Sequence, residues 1–582
     1  MSLSNIHALT YKKRKLIDLG DITINNHVQN VQQYNPLYSM FFNLNENNYN
    51  SIQLNSIYHI IDLQHVINVT TNVIKKQDIF IKYSPLLDPI RYMIGKYDFS
   101  NNNMTNLPTI LSTNDNCDKK LLDYNNASYV DNFFNFLSSI LLNYHKFSNG
   151  IDYYGSFLGI QNKFKMNIED DLEYLSGSTF FLQNIGKLMT IDNYEKDLEN
   201  NISRRNKKIL IFEENIDLFH ENDPNSNQEI CIILDKEENT NDNKCSSIDL
   251  NLDQLEIHNI HPTNDTNPNT ISIHSSHSNS SNSSNSSNSS SDDSSNDHTQ
   301  NDNDNDNDND EDNDEDEEDE EDEDEDEDDE NDAIAYINDF PVQMICLEKC
   351  EGTMDDLFIN NIVDNINGVA FLFQIVMTLI VYQKVFHFTH NDLHTNNIMF
   401  QLTDKKYLYY KHNDITYKVP TYGYLFKIID FGRSIYKYKG KILCSDSFAP
   451  DGDGNTQYNC EPFYNENNDK IEPNFSFDLC RLGCSIYDFI LDKRSNTELD
   501  LFQTIIQDWV TDDNGRNVLY KRNGSERYPG FKLYKMISRT CHNIIPEKQI
   551  TKHYFHKFKM NKKLVPIREN IINVDTIPIY SM

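Results

Sequence analysis

His390-Asn391-Asp392-Leu393-His394-Thr395-Asn396-Asn397, followed further on by Ile429-Asp430-Phe431-Gly432, is the stretch on which the reading of this chain turns. A third segment, Ile79-Phe80-Ile81-Lys82, precedes both. Together they supply, in the order Lys, Asp…Asn, Asp, one group for each task of phosphoryl transfer. That chemistry demands positioning and charge neutralisation more than covalent participation. Asp392 can accept or orient the proton of an attacking hydroxyl. Asp430 and the amide oxygen of Asn397 can hold Mg2+, and Lys82 can fix nucleotide phosphates. Asn397 follows Asp392 by five residues, so one loop can present both on the same side of a cleft.

These segments resemble those of the protein-kinase superfamily. His390 to Asn397 is similar to the catalytic-loop pattern HRDLxxxN, with Asn391 in place of Arg. Asp430-Phe431-Gly432 matches DFG after a strand, and Ile79 to Lys82 is similar to the lysine strand VAIK. Asp478-Leu479-Cys480-Arg481-Leu482-Gly483 resembles the DxWSxG opening of the central helix of the larger lobe, and Leu347 to Gly352 lies where a hinge is expected. The resemblance covers residues 51–175 and 333–550. It implies an α+β, bilobal fold, with a small β-rich lobe and a larger helical one. It implies ATP and Mg2+ as cofactors, Asp392 as the catalytic residue, and Asn397 and Asp430 as metal ligands. Lys82, Glu348 and Cys350 become ATP-binding positions, while His390, His394 and Asp478 support the catalytic loop. The Asn-rich stretches and acidic repeats look like those of serine/threonine kinases of giant DNA viruses.

The departures from the family pattern are specific. No glycine occurs between Gly20 and Gly95, so the GxGxxG loop that lets backbone amides approach phosphates is missing. Residues 57–70 must cover a nucleotide some other way. No glutamate occurs from Met93 to Ile168, where the partner of the lysine should lie. Asp131 is the candidate substitute; alternatively it sits favourably in the first turn of a helix and does nothing else. Asn391 replaces the arginine that receives an activation-loop phosphate. Activity is therefore expected not to require that phosphorylation, and phosphomimetic or Ala substitutions in residues 433–475 are expected to leave it unchanged. His394 replaces the lysine of DLKPEN. The string Asp-Leu-His is similar to haspin-like kinases and also to aminoglycoside and choline kinases, so His394 either contacts the transferring phosphate or orients the loop. No APE motif closes the segment; Cys460-Glu461-Pro462 is a loose echo.

Periodicity organises the rest. Val130, Phe133, Phe134, Leu137, Ile140, Leu141 and Tyr144 recur at 3- and 4-residue spacing and predict a helix over 127–145. Strands are expected at 57–63, 66–70, 79–83, 342–347, 398–402 and 425–429, and 153–168 reads as a strand pair or one long strand. Further helices are expected at 477–491, 502–509 and 531–545. Tyr407 to Tyr410 and Ile415 to Val419 flank a polar turn and predict an added hairpin. Residues 1–50 read as an N-terminal extension, and residues 551–582 as a basic tail. There Tyr554, Phe555 and Phe558 are interleaved with basic residues over 552–563, which fits contact with nucleic acid or acidic groups, or aromatic faces packed on the larger lobe with the lysines wet, the latter being the expectation.

The chain has 582 residues and a formal net charge of −40, and one run, Asn301 to Asp332, contains 25 acidic residues and no basic one. That balance excludes a general nucleic-acid binder. Residues 176–332, with Ser/Asn and Asp/Asn repeats, lack the apolar surface to offset ordering entropy and read as an inserted, mostly disordered segment. The acidic tract acts there as a solvated spacer or attracts basic proteins such as histones. Serines before Asp292-Asp293 fit acid-directed phosphorylation. Ten cysteines without a paired CxxC suggest reduced thiols rather than disulfides or zinc. Val369 to Val381, interrupted by Gln374 and Thr378, reads as a buried core helix, too short and polar to span a bilayer. With no apolar leader, the chain is expected to be soluble and intracellular, in cytoplasm or nucleus, and, if viral, in host cytoplasm or virion, without a membrane partner. Lys12-Lys13-Arg14-Lys15 is a nuclear-import patch or a solvated basic tip.

The function expected from these features is transfer of the γ-phosphoryl group of ATP to Ser/Thr hydroxyls of protein substrates. Two alternatives stand beside it: a pseudokinase acting as an interaction scaffold, suggested by the missing glycines, and a small-molecule phosphotransferase, suggested by His394. The six-residue motif starting at Asp478 speaks against the last.

Overall fold

Val342 to Leu347 is apolar at nearly every position, the mark of a strand covered on both faces. The computed structural model describes residues 11–13, 27–100, 102–192, 333–463, 471–491, 498–561 and 570–582, and there this run is the end of a much longer central strand. All described residues belong to one unit, formed by 1–193 and 273–582; the second, 194–272, lies outside them. So do the basic cluster at 14–15, the acidic tract and the serine repeat.

The sheet-forming half comprises β1 (Val28–Gln32), β2 (Tyr58–Asp62), β3 (His65–Asn68), β4 (Ile74–Lys76), β5 (Ile79–Pro85), the helix α1 (Ala127–His145), β6 (Tyr153–Asn167), β7 (Met189–Asp192) and β8 (Ile334–Glu348). One antiparallel sheet has the order β1-β6-β8-β5, with β7 also on β8. Strands β2, β3 and β4 form a separate meander whose Ile60 and Val66 pack with Ile79, Tyr154, Phe157 and Met344. Helix α1 begins where the Asn126 side chain accepts the Ser128 N–H and ends at Lys146, whose φ of 58° is left-handed. Val130, Phe133, Phe134, Leu137 and Leu141 are buried on its apolar side.

The second half comprises α2 (Gly368–Phe386), β9 (Ile398–Leu402), β10 (Tyr407–His412), β11 (Ile415–Pro420), β12 (Tyr424–Ile428), α3 (Phe477–Ile490), α4 (Leu501–Trp509), α5 (Lys532–Thr540) and β13 (Ile571–Asn573). Helix α2 is longer than its core run and apolar enough to cross a membrane by length and composition, but its most apolar window is 94% buried inside the fold. The hairpin β10–β11 turns through Asn413 and Asp414, both at positive φ, as a tight two-residue turn requires. Gly483 of α3 lets Trp509 approach: a Cβ there would lie 2.9 Å from the Trp509 Cβ.

The result is a mixed α+β structure with several separate sheets. Three segments differ from the sequence reading. Residues 176–192, assigned to the insertion, instead hold a helix, Thr179–Asn184, and strand β7, because Phe181 and Met189 are buried apolar anchors. In the N-terminal extension, β1 joins the main sheet and Leu37 and Tyr38 are buried. The C-terminal segment buries Tyr554, Phe555 and Phe558 as expected, but it also adds β13, parallel to β10. Among the described residues the eight cysteines are free thiols.

Candidate functional site

Strand β5 carries Lys82 opposite Ile345 of β8. Its Nζ donates to Asp131 Oδ2 at 2.7 Å and to Asp430 Oδ1 at 2.8 Å. Asp131 is fully buried in the first turns of α1, and its other oxygen accepts the Phe431 N–H at 2.8 Å and the Asn135 amide at 2.9 Å. Burial pushes the Asp131 carboxyl up, and Lys82 opposes that. For Lys82, burial favours the neutral amine, but the two carboxylates outweigh it and hold the ammonium above its ordinary value. Asp430 is driven below the carboxylate range despite burial, chiefly by Lys82.

Asp430 sits at a left-handed φ of 63°, which turns the chain out of β12. Phe431 then anchors the turn in an aromatic nest, with ring centroids 4.6 Å from Phe134, 5.9 Å from Phe388 and 5.6 Å from His390.

The loop 390–397 is fixed from below. Asp478, at the start of α3, accepts the backbone N–H of His390 at 2.9 Å and of Asn391 at 3.0 Å. Burial pushes the Asp478 carboxyl up to about 6, against the opposing pull of His390 and these two donors. His390 Nε2 lies 2.8 Å from the Ile429 carbonyl, and its Nδ1 accepts the Asp392 N–H at 3.3 Å. That pair of partners assigns the proton to Nε2. Asn391 donates its amide to the Arg433 carbonyl at 2.9 Å and accepts the Tyr458 hydroxyl, so it ties the loop to the following segment.

Asn397 donates its amide to the Asp392 carbonyl at 2.9 Å and faces His394 Nε2 at 3.1 Å. Both amide hydrogens are thereby used, which leaves Oδ1 as the acceptor for a cation. Burial drops the His394 ring to about 4, with Asp392 opposing, so the imidazole is neutral near pH 7. The neutral ring presents Nε2 to the Asn397 amide. Asp392 Oδ1 accepts the Tyr534 phenol at 2.7 Å. Burial would raise this carboxyl, but the His394 ring once protonated, Arg433, Arg481 and the Tyr534 hydrogen bond together hold it below its ordinary value.

Glu348 and Cys350 stand elsewhere. The Glu348 carboxylate accepts the Asp152 N–H and the Gln401 amide, each at 2.8 Å, and the Lys427 ammonium. Its side chain is committed to this buried network, and its backbone N–H donates to the Asp152 carbonyl at 3.1 Å. Burial pushes the half-buried Cys350 thiol up to about 12. Tyr534, Arg433, Arg481 and Lys427 were not singled out from the sequence. Arg481 lay inside a quoted motif, but nothing local marked Tyr534.

Among the described residues no group of three or more His, Cys, Asp or Glu is arranged to hold a metal. Mg2+ needs less, since it is commonly bound by one or two carboxylates together with substrate phosphates. The Asp430 carboxylate and Asn397 Oδ1 are the hard oxygen donors it prefers, and the residues fit it.

No protein-family model matches the chain. It is 32% identical over 146 residues to an uncharacterized protein of Invertebrate iridescent virus 6, covering 24% of this chain. It is 33% identical over 93 residues to the serine/threonine-protein kinase haspin of Mus musculus, covering 15% of this chain. It is 34% identical over 115 residues, 18% of this chain, to a protein of Acanthamoeba polyphaga mimivirus provisionally named a serine/threonine-protein kinase. The chain spans 21%, 12% and 28% of the lengths of these relatives, respectively. The similarity supports a relationship to serine/threonine kinases over short segments.

Proposed function

We propose that this chain is an ATP-dependent protein kinase of bilobal, kinase-like fold that phosphorylates Ser/Thr hydroxyls. The observation that carries the reading is the Lys82 ammonium held between Asp131 and Asp430. It gives a lysine with its acidic helix partner, although neither glutamate nor glycine loop is present. Partial similarity to two serine/threonine kinases supports it.

In this reading Asp392 orients the acceptor hydroxyl and takes its proton. Lys82 orients nucleotide phosphates, and Asp131 keeps it charged and aimed. Asp430 and Asn397 Oδ1 hold Mg2+, which when bound neutralises charge on the transferring phosphates. His390 and Asp478 keep the loop in place, and His394 fixes the Asn397 amide. The hinge backbone at Glu348 to Cys350 meets the adenine. The acidic tract is a spacer or a site for basic proteins, and the protein works inside the cell.

The test is a radiolabelled-ATP assay with Mg2+ comparing wild type with Asp392→Asn and Asp430→Asn. Incorporation into the chain itself or a generic basic protein, lost in both variants, is the expected result. A second reading, a pseudokinase scaffold, draws on the lack of glycine from 21 to 94, where the hairpin β2–β3 turns through Leu63-Gln64. Absence of both transfer and Mg2+-dependent nucleotide binding would favour it.

A further inference from the structure

Asp392 has a second hydroxyl at hand besides any it would meet on a substrate. The Tyr534 phenol, from helix α5, donates to its Oδ1 at 2.7 Å. Tyr534 is 3% exposed. Its oxygen is also held from the other side, where Arg481 Nε of α3 donates to it at 2.9 Å. The ring is clamped as well: it stacks on Phe531 with centroids 5.4 Å apart at 11°, and it lies 6.0 Å from Phe477. The Arg433 and Arg481 guanidinium carbons lie 5.9 and 5.1 Å from the ring centroid. A phenol accepting from Arg481 has its one hydrogen left for Asp392, so donation in that direction is enforced.

We propose that Tyr534 is a positioning residue that holds the Asp392 carboxylate through Oδ1 in the orientation in which it meets the acceptor hydroxyl. The proposal rests on the reading of Asp392 as the group that orients that hydroxyl. A carboxylate free to rotate about its terminal torsion would present either oxygen, and that torsion is broad. The Arg481–Tyr534–Asp392 chain restrains that torsion with a charge-assisted hydrogen bond. It links α3, which already holds the loop backbone through Asp478, to the side chain that the loop presents. Positioning at this level is the part of phosphoryl transfer that protein groups supply.

The test uses the full chain in the ATP assay with a basic protein acceptor, comparing Tyr534→Phe, Asp392→Asn and the double variant. Tyr534→Phe keeps the ring and its packing. Its expected effect is a fall of about tenfold in kcat with little change in the KM for ATP and in thermal midpoint. Against the residual rate of Asp392→Asn, followed in single-turnover reactions at high enzyme concentration, the same substitution is expected to have almost no further effect, because groups that act as a unit are non-additive. A purely structural phenol would give the same factor in both backgrounds, which would overturn the proposal. So would a rise in kcat, which would make Tyr534 an occupant of the acceptor position. Full activity in Asp392→Asn would overturn the base reading itself, and this inference with it. Loss in Asp392→Asn with an unaffected Tyr534→Phe would overturn the inference alone.

Discussion

The Asp131 carboxylate accepts the backbone N–H of Phe431 at 2.8 Å, across 300 positions of sequence. One buried acid therefore holds the lysine through one oxygen and the residue after Asp430 through the other. Helix α1, strand β5 and the 430–432 turn are locked by a single side chain. Removing it leaves a buried N–H without its acceptor and a lysine with one carboxylate instead of two.

For this reason Asp131→Ala is expected to reduce phosphoryl transfer about 100-fold, and Asp131→Glu to restore part of it. Steady-state assays with both variants check the order. Equal losses in the two would show that the length of the acid is irrelevant.

The segment after Gly432 is held by carboxylates. Asp446 pairs with Lys120 and accepts the Ala127 N–H at 2.9 Å, at the very start of α1. Asp453 lies 2.6 Å from Arg433. Fixed acids thus sit on the cations and helix terminus that attract anions. Phosphatase treatment, and Ala or Glu at Ser447 and Thr456, are expected to leave activity unchanged. Asp446→Ala is expected to lower it about tenfold, so the insensitivity read from the sequence for all of 433–475 does not extend to this aspartate. Phosphosite mapping beside the assay decides the matter.

Asp152, hydrogen-bonded to Glu348, offers a pH test of stability. Burial, followed by the nearby Glu348 charge, pushes its carboxyl up to about 6. An acid raised above its unfolded value of about 3.9 favours the fold when protonated. That contribution is complete below about pH 4 and is lost as pH rises through about 6. Asp152→Asn keeps an oxygen for the Asn143 amide and cannot ionise. At pH 8 it is expected to be about 1–2 kcal/mol more stable than wild type, with a flatter stability profile between about pH 4 and 6. Denaturant titrations at several pH values measure this.

Phe134 meets Phe388 at 4.3 Å, Phe431 at 4.6 Å and Tyr436 at 4.8 Å between ring centroids. Phe134→Ala is expected to cost about 3–5 kcal/mol, because a void of that size does not close. Phe134→Leu should cost less than half of this. Nucleotide affinity is expected to fall with the Ala variant, since Phe431 loses a wall of its nest. Thermal unfolding and a binding titration follow the two effects separately.

The sequence made some elements legible and hid others, for physical reasons. Helix Ala127–His145 could be read to its ends because its apolar periodicity runs unbroken along its length. The hairpin at 407–420 was legible from two apolar runs around Asn413-Asp414. Residues 176–192 were not, because their few apolar anchors are diluted by polar neighbours and find partners far away in sequence, as Phe180 does in Phe99. Strand β13 is three residues long and exists through its pairing with Tyr409 to Lys411. At the candidate site, spacing named the groups on loops and strand ends. It could not name Tyr534, which reaches Asp392 across 142 positions.

Ile334 pairs with Asp192. The chain therefore departs from the sheet and returns to it at one rung of a single ladder. In topological terms residues 193–332 occupy the position of a hairpin connection. Closing such a connection costs only about 0.6 kcal/mol more for each doubling of its length. The junction thus works as an open port, at which the length of the connection bears little on whether the two flanking strands keep their register. A short Asn-Gly bridge between Asp192 and Ala333 would be the minimal form of the same architecture.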